Sequence, residues 1–127
     1  MQHVVILRKI FYDMVVSKQK TIESRWNVHK IAPYKKVSVG DELLIKQMGK
    51  DVTLKAIVKE VRFYELSPQM ADEIKAKYGE QIGLNSYKDW HLARKKKYCT
   101  LVWFEDVKNI EPIKVKKSNG SAWFVLK

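Results

Sequence analysis

Val52, Leu54, Ala56 and Val58 are apolar at every second position, opening a stretch that runs to Tyr64. A two-residue period puts one face of an extended strand against a core and the other toward solvent. The alternation falters near Val61, which marks a bulge or bend in a long strand. Around this stretch lie shorter apolar runs. His3 to Leu7 reads as a buried strand. Leu43-Leu44-Ile45 follows the turn signal Val39-Gly40-Asp41, and Lys46 to Lys50, with Gly49, reads as a hairpin turn. Tyr98 to Phe104 reads as a core strand. Asn109 to Val115 contains Pro112, which places it as an edge or crossing segment. Ser118 to Ser121 is a turn before a closing strand at Ala122 to Leu126.

Helices fall between these runs. Ile10, Phe11, Met14 and Val15 make a helical stripe within Lys9 to Val16. Ser67 is an N-cap and Pro68 suits the first helical position. Met70, Ile74 and Tyr78 form the stripe that follows, with Gly79 as the expected stop. Tyr87 to Lys97 reads as a further helix ending in Arg94-Lys95-Lys96-Lys97, cations that suit a helix C-terminus or a phosphate equally. About six short strands with short helices inserted, and no regular βαβ alternation, imply an α+β fold. The expected architecture is a small, partly closed β-barrel in one domain spanning residues 1–127.

A chain of 127 residues can bury a real core, and its net charge of +11 favours a polyanionic partner such as RNA, DNA or a phosphorylated ligand. Cys99 is the single cysteine, so no intrachain disulfide can form, which fits a reducing, cytoplasmic setting. His3, His29 and His91 are scattered singly, so no metal site and no cofactor is expected. No apolar run approaches a membrane span, and no membrane partner is expected. The sequence does not fix an oligomeric state.

The chemistry concentrates in Lys20-Thr21-Ile22-Glu23-Ser24-Arg25-Trp26. In a strand, Thr21, Glu23 and Arg25 share one face while Ile22, Ser24 and Trp26 share the other. Lys20 stands at the entry, where a turn swings its ammonium toward Glu23. Candidate ligand contacts are Lys20, Thr21, Glu23, Arg25 and Trp26, with Lys46 as a rim cation and Trp90 and Arg94 on the last helix. Tryptophan stacks unpaired bases and arginine grips phosphate, as RNA readers require. Were the site catalytic, Lys20 would need a depressed pKa, which Arg25 favours and Glu23 opposes. Glu23 could instead act as general base for a water.

These residues, in this order, resemble the ASCH domain family of the PUA-like superfamily. Lys20, Glu23 and Arg25 stand where that family's signature has Lys, Glu and Arg after a helix and tight turn. Ser17, Lys18 and Gln19 occupy the turn in place of its common glycine. Val39-Gly40-Asp41, Tyr98 to Trp103, Ile110-Glu111-Pro112-Ile113 and Ala122 to Leu126 follow in the family's order. The resemblance implies a PUA-like barrel with a cleft beside the signature strand that takes RNA or a modified nucleoside or nucleotide. It also implies two alternatives: a protein-interaction module in transcription or translation regulation, and an amidohydrolase acting on an acylated nucleoside such as N4-acetylcytidine. The hydrolase motif has Lys, a Thr three residues later and a later Glu. Here Lys20 matches, Glu23 stands in the Thr position, and Glu80 is the candidate later acid.

Overall fold

The computed structural model describes residues 1–116 and 120–126. In chain order the elements are β1 (Gln2–Leu7), α1 (Lys9–Val16), β2 (Ile22–Asn27), β3 (Glu42–Gln47), β4 (Val52–Glu65), α2 (Pro68–Ile82), α3 (Tyr87–Ala93), β5 (Tyr98–Ile113) and β6 (Trp123–Leu126). The strands form one sheet ordered β2-β5-β4-β3-β1-β6. Among the described strands only β1 and β3 pair in parallel, with α1 and β2 intervening as their crossover. None of the described helices is long and apolar enough to cross a membrane.

The sheet curls because its central strands are kinked. The β4–β5 register shifts between Val52 and Leu54, Lys55 and Ile57, and Val58 and Glu60. The last of these is the irregularity that the sequence places near Val61. At the middle one the extra residue lies on β5, and Asp106 adopts φ 55°, a left-handed conformation that aspartate tolerates better than most residues. A further shift lies between Ile45 and Lys46 on β3. The curl carries edge strand β2 round toward β1 without closing the barrel. The Arg25 side chain spans the seam: its Nη2 on β2 donates to the Ile6 carbonyl on β1 at 3.1 Å.

Three sequence expectations change. Tyr98 to Phe104 and Asn109 to Val115 are not separate segments, since β5 runs continuously to Ile113. Pro112 is accommodated because β2 pairs with β5 only over Tyr98 to Trp103, which leaves one side of the later half unpaired. Helix α2 passes through Gly79 and stops at Gly83, whose φ of 82° makes the left-handed cap. Helix α3 ends at Ala93, capped by Arg94, so Lys95 to Lys97 lie beyond it. Of the turn expected at Ser118 to Ser121, Ser118 and Asn119 lie outside the described residues.

The two α2 glycines should respond oppositely to alanine. A Cβ on Gly79 would sit 3.7 Å from Trp90 Cζ2, an ordinary contact, so Gly79→Ala should stabilise the helix by about 0.5–1 kcal/mol. A Cβ on Gly83 would meet Met14 Sδ at 2.9 Å in a left-handed conformation, so Gly83→Ala should cost at least about 1–2 kcal/mol. Urea midpoints at constant slope check both.

Two buried clusters flank the seam. One includes Val5, Leu7, Val15, Leu43, Ile45 and Trp123. The other, under α2 and α3, joins Ile22, Ile74, Ile82, Trp90, Cys99 and Leu101. Burial pushes the Cys99 thiol far above its ordinary pKa, as expected of an inert core cysteine.

Candidate ligand cleft

Helix α1 releases its chain through a tight reversal. The Lys20 N–H donates to the Met14 carbonyl at 3.0 Å, and Lys18 takes φ 67° where a glycine would be at ease. This reversal delivers Lys20 to the head of β2 with its side chain 2% exposed. Its Nζ donates to the Ile22 carbonyl at 2.9 Å and to the Ile82 carbonyl, and lies 3.1 Å from Glu23 Oε1. Three acceptors match the three protons of an ammonium. Burial pulls the Lys20 pKa below its ordinary value and Arg25 adds to that, while the Glu23 charge and hydrogen bond work against them.

Glu23 is equally enclosed. Its Oε1 also accepts the Ser24 N–H at 3.0 Å, and its Oε2 accepts Arg25 Nη2 at 2.8 Å. Burial alone would raise its pKa, but the charges and hydrogen bonds of Lys20 and Arg25 outweigh burial and hold the carboxyl below its ordinary range. Two cations and one carboxylate leave the group with a net charge of about +1.

Arg25 is the member with capacity left. Its Nε is buried and has no hydrogen-bond partner among the described residues. Its guanidinium lies 5.5 Å from the Trp123 ring centroid. Trp123 Nε1–H donates to His3 Nδ1 at 3.1 Å, and His3 Nε2 lies 2.8 Å from Asp41 Oδ2. An indole only donates, so Nδ1 carries no proton here and Nε2–H donates to Asp41. The Asp41–His3–Trp123 series thus fixes the ring against which Arg25 rests.

Lys20, Glu23 and Arg25 line a cleft of about 290 Å³ at the seam of the barrel. Its walls are β2 from Glu23 to Trp26, Ile6 and Leu7 at the end of β1, Arg8 after it, and Phe11 of α1, with Met48, Leu84 and Ala122 completing the rim. Trp26 is half-buried, donates from Nε1 to Ser24 Oγ at 2.9 Å, and meets Trp90 edge-on at 5.7 Å. Glu23 with Arg25 and Ser24 with Trp26 occupy opposite faces as alternation requires. Both pairs reach the cleft because β2 is an edge strand.

Several sequence candidates lie elsewhere. Thr21 is exposed on the outer side of the turn, bonded through its N–H to the Gln81 carbonyl. Glu80 is exposed in an outer trough with Lys18 and Gln81, so it is not a later acid for this cleft. Lys46 sits on β3 between Ile6 and Val52 and does not line the cleft. Trp90 is a core residue, 4% exposed, with Nε1–H donating to the Leu84 carbonyl, so no base can stack on it as expected. Arg94 faces away and pairs with Asp72 at 2.9 Å.

Arg8 and Phe11 line the cleft and were not among the sequence candidates. Arg8 lies over the Phe11 ring at 4.7 Å at the cleft mouth and reaches Asp89 only at 3.5 Å. Its signal was an arginine three positions before an aromatic at a helix start. Trp123 is the core residue its apolar strand implies, and only its contact with Arg25 depends on the curl. Among the described residues no group of three His, Cys, Asp or Glu side chains is placed to hold a metal.

No family model matches the sequence, and no curated protein matches it. Solved structures do. The ASCH protein of Zymomonas mobilis superposes with a TM-score of 0.73 at 16% identity, over 99% of this chain and 87% of that one. A Pyrococcus furiosus protein solved by NMR gives 0.52 at 17% identity, over 91% of this chain and all of the other. A hypothetical protein gives 0.57 at 20% identity, over 89% of this chain and all of that one. At these identities the likeness is one of architecture. With its curled six-stranded sheet and three inserted helices, the chain has the PUA-like fold of the ASCH domain proteins.

Proposed function

We propose that the cleft binds a nucleoside or nucleotide, free or within RNA, through Arg25 and Trp26, with Lys20 and Glu23 holding Arg25 in place. The observation that carries this reading is the buried Arg25 Nε, which has no hydrogen-bond partner among the described residues. An unsatisfied buried donor costs about 1–3 kcal/mol, and an acceptor oxygen on a ligand would relieve it. The net positive group suits a base carbonyl or a phosphate, and Trp26 beside it offers an aromatic surface. A volume of about 290 Å³ lies at the small end of ligand pockets, which suits one base or nucleoside better than a helical segment.

A binding role accounts for the geometry better than hydrolysis. Lys20 has no lone pair to offer while three acceptors surround Nζ, and Glu23 is committed to Lys20, Arg25 and Ser24. Calorimetric titration of a nucleoside and monophosphate panel, N4-acetylcytidine included, should give saturable binding, with no product on chromatography. Deacetylation would instead establish the hydrolase, and an absence of binding across the panel would refute the proposal.

A further inference from the structure

A cluster of lysines without ion-pair partners among the described residues lies off the far end of β2, outside the cleft. Residues 28–40, which follow β2, carry Lys30, Lys35 and Lys36. The segment before β5 carries Lys95, Lys96 and Lys97. The fold joins these segments: the Lys97 N–H donates to the Asn27 carbonyl at 3.0 Å, and Asn27 pairs with Tyr98. Lys30 Nζ lies 5.6 Å from the Tyr98 ring centroid, and buried Tyr34 packs on the same ring at 4.8 Å, fixing Lys35 and Lys36 nearby. None of these six ammonium groups forms an ion pair among the described residues. Glu65, opposite Tyr98 across the sheet, is the acid placed next to them. Arg94, the first of the basic run, is taken by Asp72.

We infer that this junction is a phosphate-binding surface for single-stranded nucleic acid, continuous with the cleft, so that one strand inserts a base at Arg25 while its flanking backbone lies across the lysines. The inference rests on the cleft reading above. The link is the strand itself: Glu23 to Asn27 spans about 13 Å along β2, within reach of adjoining nucleotides. Lysine suits this task, since an ammonium neutralises phosphate without demanding a fixed approach. Folding does not explain six ammonium groups on two joined segments, because like charges repel and Glu65 offsets only one of them.

The test compares oligouridylate with uridine monophosphate by fluorescence anisotropy and calorimetry over a salt series. The proteins are the wild type and a Lys30→Gln, Lys36→Gln, Lys96→Gln variant whose thermal melt confirms folding. Three lost phosphate contacts should lower the slope of log affinity against log salt by about 2 for the single strand, with monophosphate affinity within twofold of wild type. An unchanged slope overturns the inference while leaving the cleft reading intact, as does wild type that binds monophosphate but gains nothing from the longer strand. Equal binding to phosphatidylglycerol vesicles would show a general polyanion surface and also overturns it. Wild type that binds neither oligouridylate nor any member of the nucleoside and monophosphate panel refutes the cleft reading and this inference together.

Discussion

Glu23→Ala should destabilise the fold by about 3–5 kcal/mol, the usual consequence of stranding a buried charge. Lys20 is 2% exposed and would keep only the Ile22 and Ile82 carbonyls, while Arg25 would lose its 2.8 Å partner. The pH dependence should carry the same signature. Glu23 is held below its ordinary value of 4.5, so between that value and its lowered native pKa the unfolded chain binds more protons. Stability therefore falls as pH drops through that window, and Glu23→Gln should flatten this part of the acid limb. Urea melts from pH 6 downward check the sign; an acid limb identical in the two proteins would remove Glu23 from the account.

Arg25→Ala should weaken nucleotide binding at least about 30-fold, near 2 kcal/mol, as expected for a central arginine contact. The fold should survive, because Glu23 keeps Lys20 and the Ser24 N–H. Arg25→Lys should not rescue binding. One ammonium cannot reach Glu23 Oε2 and the Ile6 carbonyl and also replace the Nε–H. Calorimetric titration of the three proteins decides this, and wild-type affinity in Arg25→Lys would show that charge alone matters.

The sequence revealed those parts of the structure that depend on local period and spacing. Alternation in Val52 to Val58 disclosed the long strand, and the Ser67–Pro68 pair located the start of α2, where Ser67 Oγ accepts the Met70 N–H. Lys20, Glu23 and Arg25 were legible as a group because all three lie within six residues. The opposite wall of the cleft was not legible. Ile6 on β1, Arg8 just after it and Ala122 just before β6 are distant from β2 in sequence or across the sheet, and the curl made by the β4–β5 register shifts brings them to β2. Trp90 misled because His91 and Arg94 beside it suggest a surface helix. Its side of α3 instead packs on Ile22 and Leu101, and its indole N–H finds a backbone carbonyl. Gly79 misled for a related reason, since a glycine inside a helix reads as a stop unless the neighbouring ring is known.

The most direct test of the cleft as the binding site is the side-chain N–H spectrum of the protein during a nucleoside monophosphate titration. The Arg25 Nε–H and Trp26 indole resonances should move together along one saturable isotherm, with the Trp90 indole and Arg94 Nε–H unmoved. Saturation that leaves Arg25 Nε–H where it began, or that shifts Trp90 and Arg94 instead, would place the ligand elsewhere and contradict the account.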